Sequence, residues 1–240
     1  VDMPNEPAES NFRHKIRATA YRATERGGLL WVYMGPRDTP PPMPLVEPNM
    51  LEEGRWRVNA ILSESNWMQQ LEGDIDTSHT SFLHNGHFSH EQYPPTSFAH
   101  YVLRDRAPRY QVVDTDSGTM YGAYRPAEAD TYYWRIANFL FPCFTMTPTG
   151  VLGLEIRMGA RVPVDDEHTL TISMQEVKNS TAVDRYGDKE NANFPELQPQ
   201  GTGWVERFRA VQRRANDYLL DREMQKGRSY SGIKTVQMQD

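Results

Sequence analysis

Cysteine is nearly absent: Cys143 is the single one in 240 residues. An internal disulfide is excluded, and so is an iron–sulfur cluster or thiolate zinc site built from this chain alone. A reducing compartment is the default for such a chain, and we expect a cytoplasmic one. Long apolar runs are also missing. Nothing approaches the ~20 residues that cross a bilayer, and the N-terminal stretch has no signal-peptide pattern. No excess of positive charge exists: 26 Lys and Arg face 32 Asp and Glu, for a net charge of −6, which gives no reason to expect nucleic acid. Only 38% of the residues are hydrophobic, yet at this length they suffice for the core of one large domain.

What is present falls into distinct textures. Residues 1–12 are polar and aperiodic. Residues 15–35 read as a β-hairpin whose turn uses Gly27-Gly28, glycines that take positive φ readily. Five prolines between Pro36 and Pro44 then predict an extended connector, which we place as a domain boundary. Arg55–Leu62 alternates as a strand. Trp67, Met68, Leu71 and Ile75 mark an amphipathic helix within 65–85, and 86–107 reads as a long loop. From 109 to 177, five strand-like runs separated by short turns predict an antiparallel meander. Residues 204–226 carry the strongest helical pattern, through Trp204, Phe208, Val211 and Leu219. The sum is an α+β fold: one large antiparallel sheet with helices against it.

Chemistry concentrates at His79, His84, His87 and His90, four of the seven histidines. Asp76, His79 and His84 form D-x-x-H-x4-H. Asp76 and His79 share a helix face, whereas His79 and His84 stand about 140° apart on a regular helix, so they converge only where the helix distorts or ends. Two imidazoles and a carboxylate leave coordination positions open, which suits Fe(II). The same residues also fit a solvated histidine-rich loop. The zinc-protease spacing H-E-x-x-H is missing. Cys143 reads as a small core residue in an apolar strand, and His14, His100 and His168 as loop or surface residues.

Asn66-Trp67, Glu72-Gly73, Asp76, His79 and Phe82-Leu83-His84 together resemble the mononuclear-iron segment of Rieske non-haem iron oxygenases, the aromatic-ring-hydroxylating alpha subunits of the phthalate dioxygenase and phenoxybenzoate dioxygenase group. Arg26-Gly27-Gly28-Leu29-Leu30-Trp31-Val32-Tyr33 is similar to the end of that family's Rieske domain. Asn216-Asp217-Tyr218-Leu219-Leu220-Asp221-Arg222 and Tyr230-Ser231-Gly232-Ile233 are similar to its C-terminal helix and the run beyond. The C-x-H and C-x-x-H pairs that ligate a Rieske [2Fe–2S] cluster do not occur in this chain. We therefore expect a piece of a longer subunit: 1–36 as the remnant of the Rieske domain, 37–48 as linker, and 49–240 as the mononuclear iron catalytic domain.

The resemblance implies a large curved sheet gripping a C-terminal helix, with the N-terminal hairpin as remnant. It implies His79 and His84 as iron ligands, with Asp240 as the third and Asp217 or Asp221 as fallbacks. Asp76 would be the bridging carboxylate that holds a ligand imidazole and links the iron to a neighbouring subunit's Rieske centre. Glu72 would lie near the iron. Asn66 and Gln69, polar residues on a helix expected to be buried, call for hydrogen-bond partners. The implied activity is O2 activation at mononuclear Fe(II) to hydroxylate or O-dealkylate an aromatic, carboxylated substrate. Electrons would come from an NAD(P)H-dependent reductase through the [2Fe–2S] cluster of the full-length protein, in a homotrimer or a multiple of three. Arg135, Arg157 and Arg161 are candidate anchors for a substrate carboxylate. The rival readings are a metal-free module binding an apolar ligand, and a zinc hydrolase using the same histidines.

Overall fold

Among the described residues, seven strands form one antiparallel sheet in the order β3-β9-β8-β7-β6-β5-β4, and a separate two-stranded hairpin precedes it. The computed structural model describes residues 2–7, 9–84, 97–148, 156–176, 195–199, 203 and 206–240. His87, His90 and Trp204 lie outside the described residues.

The hairpin consists of β1 (Arg22–Arg26) and β2 (Leu29–Tyr33). Gly27 and Gly28 make its two-residue turn at φ 61° and 76°, a backbone that glycine adopts without penalty. A β-carbon on Gly28 would stand 2.2 Å from the Trp56 ring, and one on Gly27 would stand 2.5 Å from Asn49 Oδ1. The turn is thus seated directly on the main domain.

The large sheet runs β3 (Trp56–Ser63), β4 (Arg109–Thr115), β5 (Gly118–Pro126), β6 (Tyr132–Leu140), β7 (Phe144–Met146), β8 (Arg157–Pro163) and β9 (Thr169–Glu176). The meander matches the sequence expectation closely. The three-residue β7 is the exception, because it is too short to show alternation. β3 pairs with β9, Trp56 opposite Glu176, so the first strand of the sheet joins the last. Side chains alternate across the sheet. One face, carrying Tyr121, Ala123, Ala137, Thr145 and Arg161, receives helix α1 (Trp67–Ile75). Met158, Ala160 and Met174 point the other way and are almost fully buried.

Three polar ties hold α1 to the sheet. Asp74 accepts from Thr145 Oγ1 and Arg161 Nε, each at 2.6 Å, and pairs with Arg161 Nη2 as well. The Tyr121 hydroxyl donates to Ile75 O. Asn66 starts the helix: its Oδ1 accepts from Met68 N–H, and its amide donates to Asp166 O. Gln69, by contrast, is exposed, so the expected need for a buried partner does not arise.

The helices depart from expectation in three places. The pattern at 65–85 ends at Ile75, with one 3-10 turn at His79–Ser81 beyond it. The stretch 86–107 holds a helix, α2 (Phe98–Arg104), which starts after Ser97. The continuous helix expected over 204–226 is absent from its described residues: 3-10 turns at Glu206–Phe208 and Arg214–Leu219 precede α3 (Arg222–Gly227). The cause is local competition. The Asn216 side chain accepts from Arg213 N–H and donates to Val211 O, and Asp217, Tyr218 and Leu219 take positive φ. Asp221 then restarts the chain as the cap of α3, accepting from Glu223 and Met224 N–H. Cys143 is half-buried in the turn before β7 and not inside a strand, because the strand breaks at Phe141-Pro142. α4 (Val236–Gln239) ends the described chain.

Candidate metal centre

The local backbone after α1 explains how two histidines five residues apart meet. Asp76 caps the end of α1, and its carboxylate turns the chain at once. Oδ1 accepts from Ser78 N–H at 2.7 Å and the Ser78 hydroxyl at 2.5 Å, and Oδ2 accepts from His79 N–H at 3.0 Å. His79 O then accepts from both Phe82 and Leu83 N–H, which tightens the chain into a 3-10 turn. His84 follows it, buried at 3% exposure.

The two rings stand edge to face, with Nε2 atoms 3.2 Å apart. Asp240, just past α4, brings Oδ1 to 3.2 Å from His84 Nε2 and 3.6 Å from His79 Nε2. Among the described residues these three form a cluster of possible metal ligands. Donor atoms about 2.0–2.2 Å from one divalent ion, at right or tetrahedral angles, stand roughly 2.8–3.6 Å apart. The observed triangle has that size, and its chemistry, two imidazole nitrogens and a carboxylate oxygen, suits Fe(II). The residues present fit such an ion.

The outer nitrogens are engaged. His79 Nδ1 lies 3.2 Å from Asp76 Oδ2, and His84 Nδ1 lies 2.8 Å from Gln239 Oε1. A carboxylate can only accept, so His79 Nδ1 carries the proton and Nε2 presents a lone pair. Burial would raise the Asp76 carboxyl, but the hydrogen bonds from Ser78 and His79 outweigh it and hold it below the usual carboxylate range. Burial would lower His84, but the Asp240 carboxylate and the Gln239 bond prevail and push it up. The site attracts positive charge.

The other expected site residues are elsewhere. Glu72 is exposed on α1 and lies outside the cluster. Asp217 and Asp221 are turn and cap residues of the 3-10 and α3 segments. Arg161 does not serve as a free anchor: Asp74 holds its guanidinium in a two-pronged pair. Arg135 is buried, its guanidinium 4.4 Å over the Phe98 ring. Arg157 begins β8, on the face that receives α1. Sequence reasoning missed Asp74, Gln239 and the fully buried Arg125, which donates from Nε to Asp105 O at 2.7 Å. Their partners lie far away in sequence, and no local spacing announces them. A cavity of about 260 Å³ adjoins the cluster at Gln239 and Asp240, with Gln70, Arg213, Tyr218 and Met238 among its walls.

The profile of the family described as LigXa C-terminal domain like matches residues 32–240. The chain is similar to the 3-chlorobenzoate-3,4-dioxygenase oxygenase subunit of Comamonas testosteroni, at 36% identity over 248 residues, covering 100% of this chain and 57% of that protein. It is similar to the phthalate 4,5-dioxygenase oxygenase subunit of Pseudomonas putida at 32% identity, covering 100% of this chain and 55% of that protein. It also matches the phenoxybenzoate dioxygenase subunit alpha of Ectopseudomonas oleovorans at 30% identity, covering 70% and 43% of the two chains. The chain spans little more than half the length of the first two of these relatives. It belongs to the LigXa C-terminal domain-like family.

Proposed function

From that membership we propose that the chain is the catalytic part of an oxygenase component acting on an aromatic carboxylate, with His79, His84 and Asp240 as the ligands of a mononuclear Fe(II). The observation that carries this reading is the meeting of two imidazole Nε2 atoms and a carboxylate oxygen within 3.6 Å, with a proton-accepting partner behind His79. The likeness to oxygenase subunits favours this reading over a metal-free binding module, and a zinc hydrolase with no H-E-x-x-H base fits less well.

When bound, Fe(II) in this donor set supplies the redox chemistry that activates O2, leaving positions open beside its three ligands. The chain's own residues orient and enclose. Asp76 holds the His79 ring by its Nδ1–H and fixes the tautomer. It is also our candidate for the carboxylate that links this centre to a [2Fe–2S] cluster in a neighbouring subunit. His84, buried under the 3-10 turn, presents its ring from the side shielded from water. The adjoining cavity exceeds the ~150 Å³ that accommodates benzene, so it has room for one ring; Arg135 and Arg157 are not among its walls.

Three of the relatives are named for 3-chlorobenzoate, phthalate and phenoxybenzoate, which are aromatic carboxylates. We assign the same substrate class here, with hydroxylation or O-dealkylation as the outcome and Arg135 or Arg157 as candidate anchors. We further assign 1–36 to the end of a Rieske domain, 37–48 to a linker and 49–240 to the catalytic domain. Partners are an NAD(P)H-dependent reductase and like subunits in a ring of three. No helix among the described residues is long and apolar enough to cross a membrane.

The test uses the full-length protein with reductase, NADH and 18O2, offered 3-chlorobenzoate, phthalate and phenoxybenzoate beside the neutral aromatics toluene and anisole. Incorporation of 18O into at least one acid's product, abolished by His79→Ala, is the expected result. Oxygenation of neutral aromatics alone would overturn the substrate class. No incorporation with any substrate would overturn the activity.

A further inference from the structure

Among the described residues, an amide and not a carboxylate stands behind His84. Its Nδ1 faces Gln239 Oε1 at 2.8 Å, in a contact that spans 155 residues of sequence. An amide can present either its oxygen or its nitrogen, so the contact alone does not say which imidazole nitrogen carries the proton. The far side of the amide decides. Gln239 Nε2 lies 2.7 Å from Ile233 O, and a backbone carbonyl only accepts. The NH2 group must therefore face Ile233, and the oxygen that faces His84 calls for a proton on Nδ1. Asp240 Oδ1, 3.2 Å from Nε2, calls for one there as well, unless a cation stands between them.

The Ile233 carbonyl is itself held by a built turn. Gly232 sits at φ 71°, its N–H donates to Ser229 Oγ at 3.2 Å, and Ile233 N–H donates to Ser231 Oγ at 3.1 Å. Gly232 O accepts from Asp221 N–H, which ties the turn to the start of α3, and a β-carbon on Gly232 would meet Asp221 O at 2.6 Å. The Ser-Tyr-Ser-Gly-Ile run thus has a physical task at the centre. Gln239 is itself 9% exposed, so water does not compete freely for its amide.

We infer that Gln239 is a positioning residue: clamped by Ile233 O, it holds a proton on His84 Nδ1 and so leaves Nε2 as the nitrogen for a cation shared with His79 and Asp240. The inference deepens the proposed metal reading of this site and rests on it for its purpose, though not for the tautomer. His79 and His84 are then oriented by unlike groups, an anion behind one and a neutral amide behind the other. The pair of imidazoles is fixed while only one outer negative charge is added.

Two readouts test it. The first is 15N NMR of the imidazoles in the metal-free Asp240→Ala chain at alkaline pH, where His84 is neutral and the carboxylate facing Nε2 is removed. That chain should show His84 protonated on Nδ1, and the Gln239 variants are read in the same background. Gln239→Leu, which removes the acceptor, should shift His84 toward the Nε2–H or mixed form. Gln239→Glu, which keeps an acceptor, should restore Nδ1–H. The second is Co(II) affinity by calorimetry, expected to fall about 10- to 100-fold in Gln239→Leu and to recover in Gln239→Glu. His84 protonated on Nε2 in the Asp240→Ala chain would overturn the inference, should the Gln239 variants fail to fold. So would an unchanged tautomer in a folded Gln239→Leu chain. Wild type that binds no Co(II), with Nδ1–H in the Asp240→Ala chain, would instead sink the metal reading and leave the positioning intact.

Discussion

Asp74 illustrates how single residues decide what this molecule can use. Arg161 reads in the sequence as a strand arginine open to a substrate carboxylate. In the fold its partner is Asp74, 87 residues earlier, which also accepts the Thr145 hydroxyl. Both charged side chains are almost buried, each at 11% exposure, so neither can be left alone cheaply. Asp74→Ala should destabilise the chain by about 3–5 kcal/mol in urea unfolding, because it strands a buried guanidinium. Arg161→Met added to it should recover most of that loss. A double variant as unstable as the single one would show that the pair matters through something other than its charge. Spacing revealed His79 and His84, since both ligands sit within one short segment. It revealed neither Asp74 nor Gln239, whose roles come from contacts 87 and 155 residues away.

At the scale of elements, the sheet was readable because apolar alternation and turn triplets mark β4, β5, β6, β8 and β9 independently of packing. The helices were less so. Apolar spacing at 204–226 suggests one helix, but Asn216, Asp217 and Asp221 redirect the backbone through their own hydrogen bonds and caps. The α1 boundary mattered most: the helix must stop at Asp76 for the 3-10 turn to bring the histidines together. Tyr121 helps to fix that end by donating to Ile75 O from beneath. Burial, with the neighbouring Tyr110 phenol adding to it, pushes the Tyr121 hydroxyl well above its ordinary value. A group raised on folding contributes stability that is complete below its unfolded pKa, about 10 for tyrosine, and is lost as the pH rises toward the folded value. Tyr121→Phe should cost about 1 kcal/mol near neutrality. Wild type should lose stability faster than this variant above roughly pH 10. Parallel pH profiles of the two unfolding midpoints would contradict the role given to this bond.

For the whole molecule, the centre exists only when the sheet has closed. His79 and His84 precede β4, Asp240 follows α4, and the strands between them span the sheet from β4 to β9, which pairs back with β3. Metal binding here is coupled to folding, as in any site whose ligands converge only in the native state. The most direct measurement is iron content after anaerobic Fe(II) loading, for the wild-type chain and for the His79→Ala/His84→Ala variant, with both shown to be folded by circular dichroism. We predict one Fe(II) per wild-type chain and none in the folded variant. Equal iron in both, or none in the wild type, would contradict a mononuclear centre at His79, His84 and Asp240.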